Sequence, residues 1–243
     1  MHCHHVHYSL LCAATPPCRV SADIYFVIDS TRDMGQNGFN VLRSWMANFV
    51  NEFDIGSGNN PKPEVTRIGV VEFWAEGYFY PRIRVSEVPI ALGDYKDKAD
   101  LINKINALQY KYGTATYIES GLEKLLVANQ FGVNIIAGRQ RIAILVSDGE
   151  EEAALPDAKV SREWMIGNAT ELKNRGVQIF AIGFGEAVNR QNLNIIASNE
   201  GDVFATNNPL SNKVLNRFYN RLVTQLCPEA PTRSVPSKFS WLL

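Results

Sequence analysis

Short apolar runs alternate with longer segments of helical periodicity along most of the chain. Six runs have the length and composition of buried strands, at residues 23–28, 67–73, 78–85, 141–146, 177–182 and 202–205. Six segments space their apolar residues as a helix does, at residues 38–53, 95–108, 118–128, 160–175, 190–197 and 211–225. This alternation predicts a doubly wound, Rossmann-like α/β fold with a mostly parallel six-stranded sheet and helices on both faces.

The second and third runs break the alternation. Only residues 74–77 separate them, and a connection that short joins antiparallel strands, because a parallel crossover needs about a dozen residues or more. We therefore expect the third strand to be an antiparallel edge strand.

One domain accounts for the whole pattern. The chain has 243 residues, enough for a large core, and no internal repeat is evident. We expect a single domain at residues 18–227, a leader or disordered segment at 1–17, and a proline-containing tail at 228–243. The leader carries only a degenerate version of a secretory signal.

Composition excludes two classes of partner. The chain is 46% hydrophobic and 20% charged, with a formal net charge of −1. That balance predicts no general attraction to nucleic acid or to an anionic membrane surface. No stretch approaches the roughly 18 apolar residues of a membrane-spanning helix, so no span is expected.

The four cysteines lie near the two ends of the chain. Cys18 precedes the first predicted strand and Cys227 follows the last predicted helix, and the termini of a compact domain are often close together. A Cys18–Cys227 disulfide would stabilise the fold by about 4–5 kcal/mol in the chain-entropy model. It would also indicate an oxidising compartment. The alternative is four unrelated free thiols.

Three loops at strand ends or helix starts carry candidate chemistry. The first apolar run ends at Asp29, and Ser30, Thr31 and Asp33 follow it. The other two loops are Gly-Thr-Ala-Thr at 113–116 and Ser-Asp-Gly at 147–149. Ligands of open α/β sheets collect beyond the carboxyl ends of the strands, and clustered oxygen ligands suit hard divalent cations such as Mg²⁺ or Ca²⁺.

The order of these motifs resembles the von Willebrand factor A domain. The segments Arg-Ile-Gly-Val-Val-Glu-Phe at 67–73 and Gly-Val-Gln-Ile-Phe-Ala-Ile-Gly at 176–183 add to the likeness. It covers about residues 18–227, including the cysteine pair that flanks the domain in many extracellular members. Matrilins and the A domains of collagens are the members that the chain resembles most.

That resemblance implies a metal-ion-dependent adhesion site (MIDAS) at the carboxyl edge of the sheet, holding Mg²⁺ or Ca²⁺. The residues that match its motif are Asp29 and Thr31 in the first loop, Thr114 in the second with Thr116 as the alternative, and Asp148 in the third. Ser30 is an alternative residue of the first loop.

Asp33 departs from the family pattern, which has a serine at this position. Its carboxylate is a further candidate ligand, but it would lower the positive charge that the cation offers to a partner. Alternatively, the neighbouring Arg32 neutralises Asp33 and the site holds no metal. Both interpretations stay open at this point.

The resemblance implies a secreted adhesion module of the extracellular matrix that binds a protein ligand through the cation. The ligand would be collagen, another matrix protein, a cell-surface receptor or a second copy of the chain. The alternative is a structural or self-assembly module with a degenerate, metal-free site. Asn168 begins an Asn-Ala-Thr glycosylation pattern, which suits a secreted chain.

An enzyme is not expected. Phosphatases that place an aspartate at the end of the first strand need Asp-x-Asp, and Thr31 stands at the second of those positions. No histidine follows His7, so the predicted domain lacks the commonest general base. Neither Gly-x-Ser-x-Gly nor His-Glu-x-x-His occurs.

Overall fold

The computed structural model describes residues 19–58, 61–77, 82–127, 130–131, 138–151 and 158–227. Its strands are β1 (Ala22–Asp29), β2 (Thr66–Glu76), β3 (Ile83–Ile90), β4 (Gln140–Val146), β5 (Val177–Gly183) and β6 (Val203–Ala205). Its α-helices are α1 (Gly35–Val50), α2 (Lys98–Asn106), α3 (Ile118–Val127), α4 (Ala158–Asn174), α5 (Arg190–Ile196) and α6 (Asn212–Leu226), and a short 3₁₀ helix spans Glu200–Asp202.

The six strands form one sheet in the order β3-β2-β1-β4-β5-β6. All neighbouring pairs are parallel except β2 and β3, which are antiparallel with a register irregularity between Val70 and Glu72. The predicted fold class is therefore confirmed, including the antiparallel edge strand. The order changes direction at β1, so the carboxyl ends of β1 and β4 lie side by side at the switch point, where α/β sheets bind ligands.

Strand β1 lies at the centre of two hydrophobic layers and is buried along its whole length. Ile24, Phe26 and Ile28 pack into the layer covered by α1, α2 and α6. Tyr25 and Val27 face the other layer, which α3, α4 and α5 cover. Burial of both faces explains why the sequence of β1 is a continuous apolar run rather than an alternating one.

The predicted bounds of the third strand, 78–85, are wrong. Strand β2 continues through Glu76 because its residues stay buried as far as Ala75, and β3 begins only at Ile83. Residues 78–81 lie outside the described part of the chain. Within the described residues, β3 pairs with β2 from Ile83, which stands opposite Glu76.

The helices agree with the predicted segments to within a few residues. Helix α1 begins at Gly35, three residues before its predicted start. Helix α2 begins at Lys98 rather than at 95, because the Asp97 side chain accepts a hydrogen bond from the Ala99 amide and caps it there. Within the described residues no helix is long and apolar enough to cross a membrane.

The amino ends of three strands are joined by a buried ion network. Arg67 donates to both carboxylate oxygens of Asp23, at 2.8 and 2.7 Å. Arg139 donates to Asp23 Oδ1 and to two backbone carbonyls. Burial opposes the ionisation of Asp23, but the two guanidinium groups outweigh it and lower the pKa of this carboxyl. The network fixes β1 against β2 and β4 at the end of the sheet opposite the candidate site.

Candidate functional site

Two of the predicted loops are held together by backbone hydrogen bonds. The Arg32 amide donates to the Gly113 carbonyl, and the Gly113 amide donates to the Ser30 carbonyl, each at 3.0 Å. Thr31 pairs with Gly113 as an isolated parallel bridge. The Tyr110 hydroxyl also donates to the Thr31 carbonyl at 2.6 Å. The loop after β1 is therefore fixed against the loop before α3.

Asp29 lies at the centre of a set of hydroxyl groups and has no solvent exposure. Its Oδ1 accepts a hydrogen bond from the Thr31 amide at 2.8 Å. Its Oδ2 lies 3.4 Å from Thr116 Oγ1 and 3.2 Å from Ser147 Oγ. Thr31 Oγ1 and Thr116 Oγ1 are 3.2 Å apart. Side chains from all three loops thus converge on one carboxylate.

Asp148 joins this cluster through Ser147. The Ser147 hydroxyl lies 3.3 Å from Asp148 Oδ1, so the two carboxylates share one hydroxyl neighbour. The Glu150 amide donates to Asp148 Oδ1, and the Asp148 carbonyl accepts from the Asn189 amide. Asp148 is only 8% exposed. The Glu150 amide therefore holds the Asp148 side chain, and the Asn189 amide holds its backbone.

The loop that carries Asp148 requires a glycine. Gly149 has φ +83°, and a Cβ built there would lie 2.6 Å from the Asn189 carbonyl oxygen. Both the backbone angle and the close approach exclude other side chains without a local shift. The Asn192 side chain donates to the Gly149 carbonyl at 3.0 Å and fixes the same loop against α5.

The structure brings Thr116, and not Thr114, into the cluster. Thr114 Oγ1 donates to the Ala75 and Gly77 carbonyls, at 3.2 and 2.6 Å, so this hydroxyl holds the end of β2. Thr116 is buried beside Asp29 and Thr31. The hydroxyl positions therefore favour the stated alternative, Thr116, over Thr114, and which of the two threonines holds a cation stays a prediction.

Ser30 and Asp33 do not belong to the hydroxyl cluster. Ser30 Oγ accepts a hydrogen bond from the Lys111 amide at 2.8 Å. The Asp33 side chain is exposed. Among the described residues, no group of three or more His, Cys, Asp or Glu side chains is placed to hold a metal ion, so Asp29, Asp33 and Asp148 do not form a three-carboxylate set.

Arg32 does not neutralise Asp33 in this structure. Its guanidinium group donates to the Thr114 carbonyl at 3.2 Å, and the described residues contain no ion pair between Arg32 and Asp33. The negative charge of Asp33 instead contributes to raising the pKa values of Asp29 and Asp148.

The electrostatics of the cluster favour a cation. Burial raises the pKa of Asp29 to about 6, although hydrogen bonds from Thr31 and Ser147 act in the opposite direction. Burial, with the charge of Asp29 as the next cause, raises the pKa of Asp148 to about 8. No lysine or arginine within the described residues pairs with either carboxylate. Two buried carboxylates among hydroxyl oxygens form the donor set that Mg²⁺ or Ca²⁺ requires, so the residues present fit such an ion.

Two residues of the site were not among the predicted ligands. Ser147 stands directly before Asp148 at the end of β4, and this position could have identified it. Tyr110 has no comparable signal in the sequence, because its contact with the Thr31 carbonyl depends on how the loop after α2 packs.

The predicted covalent features are only partly described. Cys227 is disulfide-bonded, but Cys18 lies outside the described residues, so the pairing of these two cysteines stays a prediction. Asn168 lies in α4, and its side-chain nitrogen donates to the Glu119 carbonyl at 3.1 Å. Glycosylation at that nitrogen would break this hydrogen bond, and it also stays a prediction.

Comparison with known proteins shows the family and relatives of the chain. The profile described as the von Willebrand factor type A domain matches residues 23–221. The collagen alpha-1(XXI) chain of Xenopus laevis is 26% identical over 224 residues, which are 89% of this chain and 20% of the collagen chain. Matrilin-1 of Mus musculus is 24% identical over 212 residues, which are 86% of this chain and 36% of matrilin-1. The chain thus spans only a minor part of these relatives, and the predicted likeness to collagens and matrilins is confirmed.

A solved structure agrees with the fold. Proximal thread matrix protein 1 from the mussel byssus, with a zinc-occupied MIDAS motif, superposes with a TM-score of 0.67 at 24% identity. The match covers 86% of this chain and 48% of the mussel protein. At that level of identity the likeness concerns the fold.

Proposed function

Because the chain belongs to the von Willebrand factor type A domain family, we propose that it is a secreted binding module of the extracellular matrix. In this proposal a divalent cation, Mg²⁺ or Ca²⁺, lies at the carboxyl edge of the sheet and captures a carboxylate of a protein ligand. Asp29, Thr31, Thr116 and Asp148 would hold the cation.

One observation carries this proposal. Asp29 and Asp148 are both buried, share the Ser147 hydroxyl as a neighbour, and have no cationic side chain paired with them among the described residues. Leaving two buried carboxylates without a positive charge is costly, and a cation at this position would remove that cost. The ion would supply open coordination positions for an oxygen of the ligand, since hydroxyl ligands leave much of its charge uncompensated.

The exposed rim of the site would select the partner. Asp33 and Arg32 are both exposed beside the cluster, so a ligand that presents a carboxylate to the cation also meets one negative and one positive side chain. Collagen, another matrix protein, a cell-surface receptor and a second copy of the chain are the ligands to be tested. Disulfide formation between Cys18 and Cys227 and glycosylation of Asn168 are part of the same extracellular proposal.

A second candidate function is a structural matrix module that holds no metal. It is favoured by the hydrogen bonds that the Thr31, Thr116 and Ser147 groups already provide to Asp29. The Asp33 carboxylate at a position where the family has a serine favours it as well.

Titration calorimetry separates the two candidates. Mg²⁺ and Ca²⁺ are titrated into the EDTA-treated protein and into Asp29→Asn, with Glu123→Gln on the exposed side of α3 as the matched control. We expect saturable binding and a rise in Tm, because a ligand that binds only the native state stabilises it. Both effects should disappear in Asp29→Asn and persist in the control. The absence of binding to the unmodified protein would favour the structural module.

A further inference from the structure

A pocket opens between strands β2 and β3 and the end of α2. Its volume is about 180 Å³, and Glu72, Glu87, Pro89, Lys104, Leu108 and Lys111 are among the residues that line it. A water molecule needs roughly 10–15 Å³ of such space, so the pocket has room for a side chain or a small organic ligand.

Glu72, a buried acidic residue, lines this pocket. Glu72 is 1% exposed, and neither of its carboxylate oxygens has a hydrogen-bond partner among the described residues. Glu72 also stands directly opposite Glu87 in the β2–β3 register, an arrangement of like charges that is normally unfavourable. The Ser30 hydroxyl lies near enough to lower the pKa of Glu72, but a buried carboxylate that lines a cavity can accept further hydrogen bonds, and this points to a ligand that supplies more donors.

The charges around the pocket favour a cationic ligand. Lys111 lies 2.7 Å from Glu87 and 5.0 Å from the ring centre of Trp74, so its charge is already balanced by Glu87. Lys104 is exposed, and no ion pair to it is found within the described ranges. Helix α2 ends beside the pocket, and the carboxyl end of a helix carries partial negative charge. Lys111 also acts on Glu72 at longer range, but its ion pair is with Glu87, so Glu72 is the carboxylate of this pocket that has no ion-pair partner among the described residues.

The shape of the pocket favours an organic cation over a metal ion. Pro89, Ala107 and Leu108 form an apolar wall on which an alkyl stem can pack. A metal ion would need more oxygen ligands than Glu72 and the occupied Glu87 provide, in keeping with the lack of a three-ligand group in the described part of the chain. A guanidinium group offers two parallel N–H donors, which match the two free oxygens of Glu72.

We propose that this pocket is a binding site for an alkyl guanidinium group, the chemistry of an arginine side chain. Glu72 accepts the two N–H donors, and Pro89 and Leu108 contact the stem. An arginine presented by a protein partner and a free guanidine compound share this chemistry. The pocket shares no residue with the set proposed to hold the cation, so each site can be tested without removing a group of the other.

The test follows ethylguanidinium binding to the 243-residue chain by two-dimensional NMR at pH 8 in EDTA. We expect saturable shifts at the amides of β2 and of the end of α2. Glu72→Gln should weaken binding by about tenfold or more, because a charge-assisted bidentate contact is lost. Lys104→Ala should strengthen it by about twofold to fivefold, since a repelling surface charge is removed. Glu123→Gln should leave it unchanged.

Two further measurements keep the outcome decisive. In the unmodified protein, the NMR resonance of the Glu72 side-chain carboxyl carbon should shift as ethylguanidinium is added. This measurement needs no variant, so it still tests the proposal if Glu72→Gln does not fold. A peptide with an internal arginine and free arginine are then compared, and stronger binding of the peptide identifies a protein partner as the source. The proposal would be overturned by amide shifts that do not saturate, by a Glu72 carboxyl resonance that does not move, or by ethylguanidinium binding to Glu72→Gln that is as strong as to the unmodified protein. The Mg²⁺-dependent rise in Tm, measured alongside, reports on the other site alone.

Discussion

Replacing Glu72 with glutamine should make the protein more stable at neutral and alkaline pH. Burial raises the pKa of Glu72 to about 7, compared with 4.5 for an unperturbed glutamate, and the nearby Ser30 hydroxyl and the Lys111 charge only partly offset this rise. In the folded protein the carboxyl keeps its proton over a range of pH in which the unfolded chain has already released it. The unfolded state is therefore favoured as the pH rises from about 4.5 to 7.

The magnitude follows from the two pKa values. A difference between about 7 and 4.5 corresponds to about 3 kcal/mol once both states are ionised. Glutamine has nearly the same shape and no charge, so the variant avoids this loss. We expect the two proteins to be nearly equal in stability at pH 4, and the variant to be more stable by about 2–3 kcal/mol at pH 8.

Urea denaturation at several pH values in EDTA measures this difference. The free energy of unfolding of Glu72→Gln minus that of the unmodified protein isolates the contribution of this one group, because the other titrating groups are common to both. Glu123→Gln on the surface serves as the control and should give a difference near zero throughout. A difference that does not change with pH, or a variant that is less stable at pH 8, would refute the assignment of Glu72 as an uncompensated buried acid.

Three further predictions concern the cation site and the opposite end of the sheet. Thr116→Ala should abolish the Mg²⁺-dependent rise in Tm. Thr114→Ala should preserve that rise and cost only about 1 kcal/mol of stability in urea denaturation. Equal effects of the two variants would contradict the preference for Thr116. Arg139→Met should cost about 3 kcal/mol in urea denaturation, because Asp23 loses part of its compensation, and a cost below 1 kcal/mol would show the network to be dispensable. Gly149→Ala should lower Tm and weaken Mg²⁺ binding in calorimetry together, since the strained loop carries the third ligand segment; unchanged binding would show that this loop tolerates the shift.

The sequence predicts those features of the candidate site that depend on local patterns. The run from Ile24 to Ile28 identifies a strand buried on both faces, and it places Asp29 at the carboxyl end, where ligands of such sheets collect. Asp148 follows the fourth strand in the same way. The order of the three loop motifs was enough to indicate the family, which the comparison with its profile confirms.

The sequence could not decide which hydroxyl of the second loop faces Asp29. Thr114 and Thr116 are chemically alike and two residues apart, and the choice depends on the carbonyls at the end of β2, which bind Thr114. The bounds of β3 depend in the same way on the partner strand, since β2 remains buried for longer than its apolar pattern suggests.

By itself, the sequence determined the strands, the helices and the edge of the sheet at which the acidic loops meet, because periodicity and strand burial are local properties of the chain. Only the tertiary structure decided which oxygens converge on Asp29 and which remain on the surface. It also decided that Glu72, a charged residue within an apolar strand, is buried beside a cavity. Both outcomes depend on contacts between segments far apart in the chain, and a hydrogen bond across such a distance leaves no periodic trace in the sequence.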